Sequence, residues 1–415
     1  MKTDVLVIGG GTAGCFAAIS AARMGQNVLL VEKNGMPGGT MTVGQVNFPG
    51  LFFAWGRQII AGPCWEAINR VCARGGGTLP EISYHPGHHW EEQIRLNIFD
   101  LTVVLEEMCR ESGVKLLYHT VLASLKETEN GVIAGLSCPE GPVFAEAHTA
   151  IDCTGDAVAV RMAGCPTVKS AVPQPATLIH DLGGYGDFDE AAFRDFYEQA
   201  CREGRLTLTD SAGDDLCRQI KGHRISLHVE APDTETGAGR TNLEITARAR
   251  LARIVDTLKT FEPLKNMTVS QCAAACGVRE SVRIVGKTTV TAEDYVAGRH
   301  YDDGVCHAFY PIDRHVPEGI RQVFLDEGVV PEIPLGALIP KNSRFLLAAG
   351  RCVSSDADAN SALRVQAPCM AMGQAAGVTA ALASRLGCPV DRVPWPEIVR
   401  QLKNIGAIVP EEKRK

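Results

Sequence analysis

The sequence predicts an α/β protein: a parallel sheet that binds a dinucleotide, a small antiparallel meander beside it, and a second, α+β domain between its parts. Three observations predict this. Residues 4–32 read as strand, glycine loop, helix and strand. Residues 114–153 read as short strands separated by turns, ending in a buried strand and Thr-Gly-Asp. Residues 345–349 and 366–386 read as a strand and a long small-residue helix that return to the first sheet.

The first run carries the most chemistry. Asp-Val-Leu-Val-Ile at 4–8 is a continuous apolar strand, and G-x-G-x-x-G follows at Gly9, Gly11 and Gly14, enclosing Thr12 and Ala13. Residues 15–24 make a helix that Gly25 ends, and Glu32 closes a second strand at 27–31. In a βαβ fingerprint the first glycine permits the turn, the second admits a diphosphate and the third brings helix and strand together. The helix N-terminus offers free N–H groups and partial positive charge to phosphate. Glu32 suits a ribose diol.

Bulk properties bound the rest. At 415 residues, two domains are expected. Hydrophobic residues make up 45% and charged residues 21%, as in an ordinary globular protein. A net charge of -7 without a long basic run excludes nucleic acid and anionic membrane as expected partners. Asp4 spoils a signal-peptide reading of the N-terminus, so a cytoplasmic protein is expected. The 15 cysteines are an odd number without C-x-x-C, which fits reduced, mostly buried thiols. Cys272 and Cys276 fit one helix face, yet two thiols are too few for zinc or an iron–sulfur cluster, and no metal is expected.

Past Lys33 comes a second glycine loop, Pro37-Gly38-Gly39-Thr40, read either as another approach to the same cofactor or as a surface turn. Residues 44–90 are irregular, with a short helix expected at 58–74. Trp55, Arg57, Trp65, His85, His88, His89 and Trp90 lie there, as a site lining or a satellite core. The histidine cluster lacks a metal-ligand pattern. Residues 90–112 read as an amphipathic helix. Strands follow at 114–118, 120–127, 132–137, 143–147 and 150–153. Thr154-Gly155-Asp156 stands at a strand end, where open α/β sheets bind ligands.

Helices at 190–203 and 240–261 and a strand at 225–231 give the middle segment its own elements. Two polar constellations stand out there, Gly277-Val278-Arg279-Glu280-Ser281-Val282-Arg283 and Tyr310-Pro311-Ile312-Asp313-Arg314-His315. Beyond the late helix, a terminal helix is expected at 392–403 and a charged tail at 410–415.

Together these stretches resemble the FAD-dependent oxidoreductases of the glutathione-reductase-like superfamily, flavoproteins with two dinucleotide-binding domains. The likeness rests on residues 9–14 with Glu32, 37–40, 153–157, 277–286 (GVRESVRIVG), 310–315 (YPIDRH), and 350–354 with 362–377 (ALRVQAPCMAMGQAAG). It implies a Rossmann-type FAD domain from residues 1–45, 91–164 and 336–390. It also implies an inserted substrate domain from 46–90 and 165–335, with 391–415 a terminal helix and tail. By this resemblance Gly9, Gly11, Thr12, Ala13, Gly14, Gly38, Gly39 and Thr40 hold phosphate and Glu32 the ribose. Lys33, Val121, Thr154, Gly155 and Asp156 join the cofactor set. Gly350 and Arg351 face the ribityl chain, and the helix beginning near Pro368 and Cys369 points at the flavin. Residues 355–360 depart from the Thr-His-Glu-like pattern of relatives.

The expected function is hydride transfer between FAD and a small alcohol, sugar or amine, with an unidentified electron acceptor and homo-oligomerisation left open. Alternatives are reduction of an activated double bond and a non-catalytic flavin-binding electron-transfer subunit. Such chemistry needs a proton acceptor near neutrality. His315 is the first candidate and Tyr310 its helper, with Arg57 and Arg279 as clamps on substrate or flavin. The competing reading makes His315 a surface histidine and pairs Arg279 within a structural network around Glu280. One fingerprint, with no second G-x-G-x-x-G, implies that NAD(P)H is not the direct reductant.

Overall fold

The computed structural model describes residues 1–82, 92–211, 216–316 and 319–411. The chain opens with β1 (Lys2–Ile8), α1 (Thr12–Arg23) and β2 (Val28–Val31). Val5, Leu6, Val7 and Ile8 are all buried, as a parallel strand covered on both faces requires. Then come α2 (Pro63–Ala73), α3 (Ile98–Glu111), β3 (Lys115–Leu117), β4 (Val121–Thr128), β5 (Gly131–Cys138) and β6 (Gly141–Asp152). The two early helices start later than expected, each for a local reason. Pro63 occupies the first turn of α2, where its missing N–H costs nothing. Asn97 caps α3 by accepting from the Asp100 N–H at 3.1 Å.

The strands expected at 143–147 and 150–153 are one element, β6. Its first half alternates buried and exposed and pairs antiparallel with β5. Its second half is continuously buried and pairs parallel with β1. The change of burial pattern at His148 imitates a strand boundary, but the backbone runs straight through. The sheet order is β3-β2-β1-β6-β5-β4, and β10 (Leu346–Ala348) adds to the carboxyl half of β6.

Between these parts the chain forms β7 (Ala176–Gly183), α4 (Glu190–Arg202), β8 (Arg224–Val229), α5 (Gly237–Leu258) and β9 (Thr268–Cys272). The antiparallel sheet β8-β7-β9 carries a separate core that includes Phe193, Leu227, Ile254 and Val278. The fully buried residues of this second core lie within 176–278, and Val46 packs against it from the early segment. Phe52, Ile59 and Ile60, and Val290 through Ile339, belong instead to the large core around α1. That differs from the expected grouping of 46–90 with 165–335. Trp65 packs on Phe52 with ring centres 5.0 Å apart, and Trp55 packs on Phe309 and donates to the Val329 carbonyl. These tryptophans are core, not site.

The last elements are α6 (Gln366–Leu386), with the bounds expected, and α7 (Trp395–Asn404). Cys272 ends β9 and Cys276 follows in a loop, so the shared helix face does not form. Among the described residues no group of three metal-ligating side chains converges and no helix is long and apolar enough to cross a membrane. Each of the 15 cysteines is free and buried or half-buried. His85, His88, His89 and Trp90 lie outside the described residues, as do 412–415 of the expected tail.

Candidate active site

The first glycine loop leaves β1 at the carboxyl edge of the sheet. Gly9 has φ +100°, and a Cβ there would lie 2.6 Å from the Cys153 carbonyl oxygen. A Cβ on Gly14 would lie 1.8 Å from the Gly9 oxygen, so this glycine seats α1 against the turn. Gly11 instead faces open space. No side chain caps α1, so its first N–H groups are left to a ligand. The second loop lies on the first. Gly38 donates to the Gly10 carbonyl at 2.8 Å, and a Cβ on Gly39 would lie 3.0 Å from Gly11 Cα. A surface turn is thereby ruled out.

Glu32 is buried at the end of β2. Its carboxylate accepts from the Gly10 N–H at 2.6 Å and from the Asn34 N–H and Nδ2 at 2.9 and 2.6 Å. A carboxylate has about four acceptor positions, so one remains for a hydroxyl. The two glycine loops, the uncapped helix and this acid fit a dinucleotide.

Farther along the same cavity, Asp156 accepts from Arg351 at 2.5 Å, Arg240 at 2.7 Å and Ser281 Oγ at 2.7 Å. Burial alone would push its carboxyl up, but the two guanidinium groups outweigh that and hold it below the ordinary range. Arg351 also donates to the Gly155 carbonyl at 2.9 Å and to the Val278 carbonyl. Asp156 and Arg351 therefore fasten the second core to the sheet edge, while Gly350 and Gly155 keep backbone at the cavity wall.

The cavity, of about 550 Å³, continues from these loops to a polar corner. There Tyr310, Asp313, His315, Arg279 and Arg364 meet. The corner combines the hairpin of Ile312–Val316 and Gly319–Val323, the end of the second core, and the approach to α6. His315 Nε2 lies 3.2 Å from Asp313 Oδ2, and Gln322 Nε2 donates to the other Asp313 oxygen at 3.1 Å. The His315 ring stands edge-on to His228, with centres 4.8 Å apart. Arg279 lies 2.7 Å from His228 Nε2 and donates to the Pro175 carbonyl at 2.9 Å.

Electrostatics divide the corner clearly. Burial pushes His315 down to about 4, the partial support of Asp313 notwithstanding. His228 falls to about 2 through burial and the nearby Arg279 charge. Burial would raise the Asp313 carboxyl, but its bond to His315 and the surrounding cations hold it at about 2. Burial pushes Tyr310 up to about 12, and its hydroxyl accepts from Gln93 Nε2 at 3.1 Å. At neutral pH the imidazoles are uncharged, the phenol is protonated and the carboxyl is ionised.

Most residues singled out in the sequence line this one cavity. Gly9, Gly11, Thr12, Ala13, Glu32 and Lys33 line the first stretch, joined by Gly39, Thr40 and Val121. Thr154, Gly155, Asp156, Gly350, Arg351 and Cys369 line the middle. Gly14 and Gly38 stand behind the loops. Two expectations need correction. Pro368, in the first turn of α6, does not line the cavity, whereas Val365, Gln366 and Cys369 do. Arg57 does not reach the corner: it is exposed on a two-strand hairpin and lines a separate depression with His300, His307 and Glu332. Cys369 donates to the Arg364 carbonyl at 3.3 Å, and burial raises its thiol to about 12, which leaves it a poor nucleophile.

Arg364, Arg240, His228 and Gln93 were not singled out in the sequence. Arg364 lies inside the late block ALRVQAPC, and only its place there hints at a role. Thr12 Oγ1 lies 2.5 Å from Gln366 Oε1 and joins the starts of α1 and α6.

The model of the family described as FAD dependent oxidoreductase matches residues 4–404. Digeranylgeranylglycerophospholipid reductase 1 of Methanosphaera stadtmanae is 28% identical over 185 residues, 42% of this chain and 42% of that protein. Dihydrolipoyl dehydrogenase of Halobacterium salinarum is 30% identical over 115 residues, 28% of this chain and 22% of that protein. The chain thus spans less than half the length of these curated relatives. Among solved structures, a geranylgeranyl bacteriochlorophyll reductase-like protein of Thermoplasma acidophilum matches 98% of this chain and 82% of its own, at 14% identity and a TM-score of 0.45.

Proposed function

The chain belongs to the FAD dependent oxidoreductase family, and from that premise we propose that it transfers a hydride between FAD and a small organic substrate of alcohol, sugar or amine type. One observation carries the proposal: a single cavity runs from the dinucleotide loops to a corner holding an aspartate–histidine pair and a protonated phenol. FAD supplies the two-electron chemistry when bound. Gly9, Gly11 and Gly39 offer backbone to its diphosphate, α1 offers N–H groups, and Glu32 offers an acceptor for its ribose.

The protein's own side chains handle the proton. With Nε2–H donated to Asp313, His315 keeps Nδ1 unprotonated; among the described residues this nitrogen is buried without a hydrogen-bond partner, so taking the proton requires substrate to displace the groups covering it. His315 is thus the proton acceptor, and Asp313 fixes its tautomer and steadies the imidazolium that forms. Tyr310 keeps its proton and donates a hydrogen bond to the substrate oxygen or nitrogen.

The test is anaerobic mixing of the oxidised holoenzyme with polyols, sugars, amines, amino acids and hydroxy acids while flavin absorbance is followed. Saturable bleaching by at least one compound is expected, and none across the panel would overturn the reading. A second reading runs the electrons the other way, from reduced flavin to a substrate such as an activated double bond; a curated relative named a reductase favours that direction. Under it, anaerobically reduced enzyme would be reoxidised by crotonate in the absence of oxygen.

A further inference from the structure

Arginine pairing across the interior has a consistent pattern with two exceptions. Arg283 is buried and pairs with Glu280 at 2.6 Å. Arg351 and Arg240 share Asp156, and Arg250 and Arg253 share Asp210. Arg224 pairs with Asp181 at 2.9 Å. Arg279 and Arg364 make no ion pair among the described residues, although both stand in the cavity corner. Arg279 reaches only the Pro175 carbonyl and the His228 ring. Arg364 reaches Gln174 Oε1 at 3.3 Å and the Asp313 carbonyl at 3.4 Å, both uncharged acceptors, and its Nε has no partner among the described residues.

The two are neighbours, since Arg364 touches Gln174 and Arg279 touches Pro175. Each depresses its own affinity for a proton by burial, and the Arg364 charge depresses that of Arg279 further. Asp313 is close enough to oppose this, but neither guanidinium bonds its carboxylate among the described residues; of Asp313, Arg364 reaches only the carbonyl, and His315 and Gln322 hold one carboxylate oxygen each. Around the corner the imidazoles and phenol are uncharged, so two cations face one carboxylate. Buried charges are costly unless paired and hydrogen-bonded. A guanidinium holds a carboxylate through two parallel bonds, and both arginines have donors free for one.

We propose that Arg279 and Arg364 together hold a carboxylate of the substrate, so that the substrate is a small organic acid bearing the reacting hydroxyl or amine. This rests on the hydride-transfer reading above and narrows its substrates to hydroxy acids, amino acids and sugar acids. The carboxylate sits between the arginines, and the adjacent carbon lies toward Tyr310 and His315. The diphosphate of the cofactor does not compete, because its loops and helix N-terminus stand at the other end of the cavity.

The experiment titrates oxidised holoenzyme with lactate, mandelate and gluconate, each against its neutral amide, and reads the flavin spectral shift and the heat of binding. At least one acid should bind and its amide should bind at least tenfold more weakly. Arg279→Gln and Arg364→Gln should each weaken that acid about 10- to 100-fold, the size of one hydrogen bond to a charged group. Arg57→Gln, on the separate surface depression, should leave binding unchanged. Equal binding of acid and amide, or binding by none of the acids, overturns the proposal without any variant. Variants that lose FAD yet bind the acid normally when FAD is saturating overturn it too, and assign the arginines to the flavin. An acid that binds but never bleaches the flavin keeps the carboxylate site and refutes hydride transfer. Neutral polyols that bleach wild type and both variants alike do the reverse.

Discussion

Placing a methyl group on Gly373 tests how the cofactor loop is held. Helices α1 and α6 cross without side chains between them at two points. A Cβ on Gly373 would lie 2.2 Å from the Ala13 oxygen, and one on Gly377 would lie 2.2 Å from the Ala17 oxygen. Contact between carbon and oxygen needs roughly 1 Å more, and both obstacles are backbone. Gly→Ala inside a helix gains about 1 kcal/mol of intrinsic propensity. Overpacking a core typically costs about 1–3 kcal/mol, and a rigid backbone contact belongs at the upper end. Gly373→Ala and Gly377→Ala should each destabilise the apoprotein by about 1–2 kcal/mol net. They should differ in FAD binding. Ala13 lies in the first turn of α1, among the N–H groups left to phosphate, whereas Ala17 lies one turn farther on. Gly373→Ala should weaken FAD about tenfold, equivalent to about 1.4 kcal/mol, and Gly377→Ala by less than threefold. Denaturant unfolding of the apoproteins and flavin fluorescence titration measure the two effects. A Gly373→Ala protein more stable than wild type would show slack between the helices, and equal FAD losses would refute the assignment of Ala13 to the phosphate end.

Other outcomes follow from the corner and the cradle. His315→Ala should keep FAD and slow anaerobic flavin reduction by about 100- to 10,000-fold, and the wild-type rate should have its acid limb near pH 4, not near neutrality. A wild-type limb at pH 6–7 with an unaffected variant would return His315 to a structural role. His180 and His315 are each lowered from the ordinary 6.5 to about 4, so their stabilising contribution is complete above about pH 6.5. It is lost as pH falls from there through 4, and acid unfolding should weaken in that window when either is replaced by a neutral side chain. Asp156→Asn should cost about 3 kcal/mol or more in thermal or denaturant unfolding, because it leaves Arg351 and Arg240 buried without their carboxylate. Stopped-flow mixing with NADH or NADPH should leave the flavin oxidised over seconds, and fast saturable bleaching would reveal a nicotinamide site.

The parts legible in the sequence are those whose constraint is local. Gly9 announces itself because the turn after β1 demands a positive φ, and α6 because its small residues run for five turns. The sequence pattern of β6 suggests two strands because burial changes at His148, where the solvated half meets the covered half; a backbone can continue where a pattern stops. The corner was legible only in pieces. Tyr310 and His315 share one short segment, but Arg364 comes from the end of the helix Ala357–Leu363, just before α6, and Arg57 sits on a hairpin that lines a separate depression.

The deepest gap between sequence and site is the fate of charge. Arg279 and Arg283 flank Glu280 within five residues, and nothing in that string says which arginine the glutamate takes. The structure gives it to Arg283, and Ser170 and the Gln174 N–H donate to it as well. Glu280 is thereby fully buried and held by three donors. Arg279 faces the cavity without Glu280, which is paired with Arg283. A structural ion pair and the cation that we propose holds the substrate carboxylate thus come from one local motif, separated by which partner the fold reaches. That is why replacing Glu280 should damage stability and replacing Arg279 should damage binding. A variant Arg279→Gln that unfolds like Glu280→Gln would show that the two arginines share one structural task.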